Sequence, residues 1–546
     1  MGANAPPALD ALNRENVSDY PAQQQLIASL RDPDRYPYVV KNVRVVETHI
    51  SWVVLAGRYA YKVKKAVDLG FLDFTDQEVR RFYCEEEIRL NRRLAPQLYL
   101  DVIAIGGSPE RPVLGASPAI EYAVRMRRFA TSKQMDYLLA RGRVAPCHID
   151  QLAATISQFH SCLLSATPDS TFGSLDAIYA PVLQNFKQLA PLMGDLDDME
   201  LLSRIRNASE YAYTACVPCF EQRKKDGMVR ECHGDLHLGN IALVNGRPIP
   251  FDCIEFNAGL RWIDVMSEVA FMMMDLLDRN RADLAFRFLN AYLELTGDYA
   301  GVTVLPFYLS YRAMVRAKID AIRAHQLKRY TSEAKAAMAA CRSYLVLAEG
   351  CLSRRNPALI ITHGLPGCGK TTVAQAALER LQAIRIRSDV ERKRLFGLVP
   401  SEDSHSQVGK GVYTAEATRR TYVQLLGLAR GLLEAGFPVI VDAAFLKHAE
   451  REHFQKLASE MGVPFLIISV KVEESILRQR ITQRQNHGND ASEADLAVLQ
   501  ALQATYEPLL PQEFVCSVDF SNDGDIGNVT AKGSFWDILA SKCCRH

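Results

Sequence analysis

The stretch Gly364-Leu365-Pro366-Gly367-Cys368-Gly369-Lys370-Thr371 fits the pattern G-x-x-x-x-G-K-[ST] without a mismatch. It constrains the fold strongly, because such a loop works only between a buried strand and the start of a helix. Both neighbours suit it. Ala358-Leu-Ile-Ile-Thr362 is a continuous apolar run, and a helical run follows from Thr371 to Leu381. Gly364, Gly367 and Gly369 let the backbone wrap so that its N–H groups point inward at a phosphate. Lys370 then neutralises β/γ oxygens and the Thr371 hydroxyl reaches Mg²⁺.

At 546 residues the chain predicts roughly three to four compact units. Hydrophobic residues at 48% and charged residues at 23% suit a soluble globular protein, and a net charge of +1 gives no global pull toward nucleic acid or anionic membrane. No apolar run approaches about 18 residues, since Val269-Ala-Phe-Met-Met-Met274 is cut by Asp275. MGANAPPALDALNREN lacks the basic and apolar regions of a signal peptide. Thirteen cysteines are scattered rather than framed, so the expected location is the cytoplasm. Cys216-Val-Pro-Cys219 has no second pair at zinc-finger spacing and reads as structural.

Residues from Tyr38 to about Ile105 read as strand-rich, with one charged helix near Thr75 to Leu94. Residues 150 to 350 read as helices, interrupted by a short β segment around 229 to 252. A last long helix, about Thr331 to Leu352, ends at Ser353-Arg-Arg-Asn-Pro357, which is the expected domain boundary. Beyond it strands alternate with helices, the pattern of a parallel α/β sheet.

A second phosphate-handling signature lies far upstream. His233-Gly234-Asp235-Leu236-His237-Leu238-Gly239-Asn240 has the spacing His-x-Asp-x₄-Asn. Phosphoryl transfer needs a carboxylate that orients the acceptor hydroxyl and oxygen ligands for Mg²⁺. Asp235 suits the first role and Asn240 the second; Asp252 supplies another metal ligand. Asn245-Gly246 is a type I′ hairpin signal that pairs 244 with 247 and therefore 240 with 251. On that register Pro248 and Pro250 take non-hydrogen-bonded positions and Asn240 lies beside Asp252.

These residues resemble the catalytic loop and metal-binding Asp of the aminoglycoside phosphotransferase family, relatives of protein kinases. The resemblance implies that Lys62, in Ala60-Tyr61-Lys62, contacts ATP phosphates and that Glu87 is its helix partner. Lys64 shares a strand face with Lys62 and Glu86 adjoins Glu87, so the pairing has alternatives. Val124 to Arg128 would be the hinge that meets adenine. Asp252-Cys253-Ile254 departs from the Asp-Phe-Gly of many relatives. Tyr311 to Lys318 reads as a helix with Arg312 and Arg316 on one face, a solvated charged face or the acceptor cleft.

In the carboxy-terminal part, Ile384-Arg-Ile-Arg-Ser388 leads to Asp389 and Val439-Ile-Val441 leads to Asp442. Carboxylates at the ends of parallel strands lie beside bound phosphates. A helix over 473–485 sets Arg480 and Arg484 one turn apart, and Gln485-Asn-His-Gly-Asn-Asp490 reads as a lid. This set resembles the small P-loop kinases, including polynucleotide-kinase-like and zeta-toxin-like proteins. That resemblance implies that Asp389, in Asp389-Val-Glu-Arg392, orients the acceptor and that Asp442 is the metal-side carboxylate; the two can exchange roles.

The whole chain resembles bacterial fusions of an aminoglycoside phosphotransferase-like domain with a P-loop domain. The expected fold is an α+β, two-lobed, protein-kinase-like domain over 1–353 followed by an α/β P-loop domain with a parallel sheet over 354–546. The expected function is a bifunctional kinase with two ATP·Mg²⁺ sites acting on small hydroxyl-bearing acceptors. The alternatives are that one domain is a non-catalytic ATP sensor, or that the P-loop domain phosphorylates nucleic acid or a nucleotide sugar. The carboxy-terminal half lacks a basic run interleaved with aromatics, which argues against nucleic acid. Arg125, Arg127, Arg128, Arg312, Arg316 and Lys318 outnumber Asp275 and Asp278 near the expected acceptor cleft, so a neutral or anionic acceptor fits better than an aminoglycoside. Oligomeric state is left open.

Overall fold

The computed structural model describes residues 19–70, 72–327, 331–353, 356–399, 402, 411–487, 496–524 and 533–543. Strands β1 (Val43–Glu47), β2 (Ser51–Ala56), β3 (Tyr59–Lys64), β4 (Tyr99–Ser108), β5 (Arg111–Leu114) and β6 (Ala119–Arg127) form an antiparallel sheet in the order β1-β2-β3-β6-β4-β5. Period-two alternation divides its residues between two apolar clusters. Tyr61 and Val63 join Trp52 and Val54 on one face. Ala60 joins Cys84, Ile88 and Val124 on the other, beneath the helix Gln77–Asn91. Lys62 and Lys64 share that second face, so β3 delivers both ammonium groups toward the helix. Asp76 starts the helix by accepting the N–H groups of Glu78 and Val79 at 2.7 and 3.1 Å.

A helical lobe follows, with β7 (Val229–Glu231), β8 (Ile241–Val244), β9 (Arg247–Pro250) and β10 (Trp262–Asp264) inserted in it. The hairpin β8–β9 pairs Val244 with Arg247 and Ile241 with Pro250, and the Phe251 N–H donates to the Asn240 carbonyl at 2.9 Å. Asn245 and Gly246 both have positive φ, 50° and 77°, as a type I′ turn requires. The β7–β10 ladder was not read from the sequence, because three-residue strands carry no periodic signal.

One buried ion cluster ties this lobe together. Arg223, at the end of the helix Leu196–Lys225, donates to Asp264 at 2.7 and 2.8 Å and to Asp298 at the same distances. Removing the guanidinium strands two buried carboxylates. Arg223→Ala is therefore expected to cost about 3–5 kcal/mol in denaturant unfolding, and a loss below about 1 kcal/mol would contradict this account of the cluster.

The helix Ser332–Leu352 ends this part, and the parallel sheet begins at β11 (Leu359–His363). With β12 (Ile384–Arg387), β13 (Val439–Asp442), β14 (Phe465–Lys471) and β15 (Ser517–Ser521) it has the order β12-β13-β11-β14-β15, all parallel. Every residue of β11 and β13 is buried, which explains the apolar runs Leu359 to Ile361 and Val439 to Val441. A single apolar cluster continues from the helical lobe into this sheet, so the two halves share packing rather than merely a linker. No described helix is long and apolar enough to cross a membrane.

Candidate functional sites

A cleft of about 1220 Å³ opens between the antiparallel sheet and the helical lobe, with Lys62, Asp235 and Asp252 on its wall. Lys62 Nζ lies 2.8 Å from Glu87 and 2.6 Å from Asp252. The second lysine is also engaged: Lys64 bonds the other Glu87 oxygen at 2.8 Å and pairs with Glu255. Burial alone would raise the Glu87 carboxyl, but the two ammonium groups outweigh it and bring its pKa down to about 2. Glu86 points elsewhere, to Arg89 at 2.8 Å. Thus Lys62 is the lysine that reaches both Asp252 and the cleft, while Lys64 is wholly buried beneath it. Glu255 was missed in the sequence; its only local signal is a carboxylate three residues after Asp252.

Asp235 is half-buried and accepts the Asn240 amide at 2.8 Å, with His237 at 3.5 Å. Burial pushes its carboxyl up; the neighbouring His237, then His233 and Arg316, more than offset this and hold it well below the usual carboxylate range. His233 bridges the loop to the hairpin: Nε2 meets the Phe251 carbonyl at 2.9 Å and Nδ1 accepts the Asp235 N–H at 3.2 Å. Gly234 has φ 89°, and a Cβ there would lie 2.8 Å from the Leu260 carbonyl oxygen, so only glycine fits. Asp252 also takes a positive φ, 66°, with its N–H on the Tyr99 hydroxyl at 3.0 Å. The Cys253 N–H donates to Asn91 at 2.9 Å.

The buried helix Val265–Asp278 clamps this loop from behind. Glu268 accepts the Gly234 N–H at 2.8 Å and meets His160 at 2.8 Å, while Asp275 accepts the Leu238 N–H at 2.8 Å. Two carboxylates inside a Met-rich helix were the available signal. Three expectations change here. Arg312 is buried rather than solvated, donating to the Ser267 and Gly234 carbonyls at 3.2 Å, and it lines the cleft, as the alternative reading had it. Arg316 lies over the Tyr344 ring at 5.9 Å. Arg125 turns to Asp101, 2.5 Å away, rather than toward the cleft. Arg127 and Arg128 do line it.

The second cavity, about 1000 Å³, lies at the carboxyl ends of the parallel strands and is lined by Lys370, Thr371, Asp389, Arg392, Asp442 and Arg480. Gly364, Gly367 and Gly369 have φ of 148°, 84° and 93°. At Gly369 a Cβ would lie 2.3 Å from the Asn522 amide, which donates to the Cys368 carbonyl at 2.8 Å. Asn522, beyond β15, is a support that the sequence did not reveal. Pro366 sits on the cavity wall, and Lys370 donates to the Leu365 carbonyl at 3.0 Å. Arg480 donates to the carbonyls of Asn522 and Gly524 at 2.9 and 2.8 Å, leaving Nη1 buried without a partner among the described residues. Arg392 is held by the Val412 carbonyl and the Thr418 hydroxyl at 3.0 and 3.1 Å.

Asp442 carries a buried Oδ2 with no hydrogen bond among the described residues, and Arg387 Nε stands 3.9 Å from it. A buried carboxylate oxygen without a donor, on the same wall as Thr371, is the environment a hard divalent cation fills. The helix Glu474–His487 takes in the first three residues of the expected lid, 485–487. The rest of the lid, 488–490, and the Arg484 side chain lie outside the described residues.

Residues 359–509 match a family model described as an AAA domain. The helical and antiparallel part is similar to a choline/ethanolamine kinase family protein from Mesorhizobium loti, at 10% identity and a TM-score of 0.34 over 60% of this chain and 98% of that one. The parallel part is similar to a gluconokinase from Sinorhizobium meliloti, at 20% identity and a TM-score of 0.25 over 34% of this chain and 96% of that one. Over 470 residues the chain is 30% identical to the uncharacterized proteins Rv2004c of Mycobacterium tuberculosis and Mb2027c of Mycobacterium bovis, covering 85% of this chain and 91% of each relative. An alignment of that length spans parts of both halves of this chain, and the chain belongs to the family of these mycobacterial proteins.

Proposed function

We propose that this protein is a cytoplasmic, ATP-dependent phosphotransferase with two ATP·Mg²⁺ sites, divided between domains 1–353 and 354–546. The observation that carries the reading is Lys62, which touches Glu87 and Asp252 at once across the cleft that also holds Asp235. In the first site Asp235 accepts the hydrogen bond of the acceptor hydroxyl, Asn240 and Asp252 hold the metal, and Lys62 meets phosphate oxygens. In the second, the loop 364–371 encloses phosphates, Lys370 and the unpaired Nη1 of Arg480 supply positive charge, Thr371 and Asp442 hold the metal, and Asp389 orients the acceptor. Arg484 joins Arg480 in that role by its position one turn on. Bound Mg²⁺ would neutralise phosphate charge as the terminal group leaves. Catalysis in both is positioning plus charge stabilisation. Thirteen cysteines scattered along the sequence, rather than framed in pairs, support a reducing compartment.

The acceptor of the first site is a neutral or anionic hydroxyl compound of the sugar or sugar-phosphate kind. Arg44, Arg127, Arg128 and Lys318 face the cleft, while two of its carboxylates, Asp252 and Glu255, are paired with lysines. Asp275 is committed to Leu238 and to Arg279, 3.0 Å away. Burial pulls the Lys318 ammonium down to about 8, so it is charged at neutral pH and loses that charge as pH rises through about 8. An anionic acceptor should therefore show a KM that climbs over the same range, and Lys318→Ala should remove the pH dependence. Steady-state assays with sugar, sugar-phosphate and kanamycin-like acceptors test the class. A kcat/KM for an aminoglycoside of about 10⁴ M⁻¹s⁻¹ or more would overturn it.

A further inference from the structure

The helix Ala282–Thr296 of the kinase-like half lies against β12 and the helix Lys370–Leu381 of the P-loop half. Its polar contacts centre on β12 and the residues beside it. Asn290 donates to the Ala383 carbonyl at 2.9 Å and accepts the Arg385 N–H at 2.6 Å, so it behaves as an extra partner at the edge of the sheet. One turn on, the Glu294 carboxylate bonds Arg385 at 3.0 Å and Arg387 at 2.7 Å, and its backbone carbonyl accepts Arg394 at 2.6 Å. Arg287 adds an ion pair to Glu379 at 2.8 Å.

Arg387 is the residue that matters for chemistry. It pairs in register with Asp442 across β12 and β13 and immediately precedes Ser388 and Asp389 on the cavity wall. Its guanidinium meets Glu294 at 2.7 Å, yet stands 3.9 Å from the buried Asp442 oxygen that has no hydrogen bond among the described residues. The same cation thus lies between two carboxylates, one from each half of the chain. An arginine that closed onto Asp442 would neutralise it and fill the position a divalent cation needs.

We infer that Glu294 is a positioning residue of the P-loop site, supplied by the other domain: it holds Arg387 away from Asp442 and so keeps that carboxylate open for a divalent cation. The inference rests on the reading of the second cavity as a nucleotide–metal site. It makes the two halves unequal partners, because docking of the kinase-like half sets the metal affinity of the P-loop half.

The test is Mn²⁺ binding, followed by electron paramagnetic resonance, to the full-length chain with a non-hydrolysable ATP analogue. All proteins carry Asp252→Ala to silence the first cleft. Glu294→Gln should weaken Mn²⁺ binding about tenfold, a usual size for coupling between sites. Adding Arg387→Gln to it should restore affinity to that of Arg387→Gln alone, which a general loss of packing would not do. Unchanged affinity in Glu294→Gln, or no restoration in the double variant, overturns the inference. Should Glu294→Gln fail to fold, Arg387→Gln alone decides: affinity at or above the parent supports the inference, and weaker binding overturns it. If the parent shows no Mn²⁺ binding that Lys370→Ala removes, the nucleotide–metal reading itself falls, and the inference with it.

Discussion

Asp235→Asn is expected to lower phosphoryl transfer by the kinase-like half about 10²–10⁴-fold in kcat while leaving ATP affinity close to that of the parent. The substitution keeps shape and the contact with Asn240 but removes the oxygen that accepts the acceptor's proton. The loop itself should stand, because Gly234 and Leu238 are anchored through their own N–H groups on Glu268 and Asp275. Transfer of labelled γ-phosphate into a metabolite pool, measured in a chain that also carries Lys370→Ala, isolates the effect. A loss of ATP affinity matching that of Asp252→Ala would reverse the assigned roles of Asp235 and the metal ligands.

Lys370→Ala should disable the P-loop site by about 10²-fold or more, the scale of removing one charge-stabilising donor from a preorganised site. The ammonium rests on the Leu365 carbonyl of its own loop, so little folding stability depends on it and the loss should appear in nucleotide turnover. Transfer by the kinase-like half should continue at its parental rate. If Lys370→Ala silenced both activities, a sensor–catalyst pair would be the better account, with the shared apolar cluster as the route of coupling.

What the sequence made legible is what local geometry dictates. Asn245-Gly246 forces a two-residue turn, and from it follow the pairing of 240 with 251 and the tolerance for Pro248 and Pro250. The loop 364–371 needs a strand before it and a helix after it, and both are present. The supports were less legible because they are tertiary. Glu268 and Asp275 reach their N–H partners across 34 and 37 residues, and Asn522 reaches Cys368 across 154, distances at which no periodicity operates. Arg312 read as solvated because an isolated helix gives no hint that the Ser267 and Gly234 carbonyls wait opposite it. Glu294 is the extreme case: its role depends on docking between two halves, and nothing within either motif points to it.

Binding stoichiometry distinguishes two ATP·Mg²⁺ sites in one chain from a single site. Calorimetric titration of the full-length protein with a non-hydrolysable ATP analogue in Mg²⁺ should give two molecules bound per chain, one lost in Lys370→Ala and the other in Asp252→Ala. A single molecule per chain, or two that vanish together with either substitution, would contradict the account.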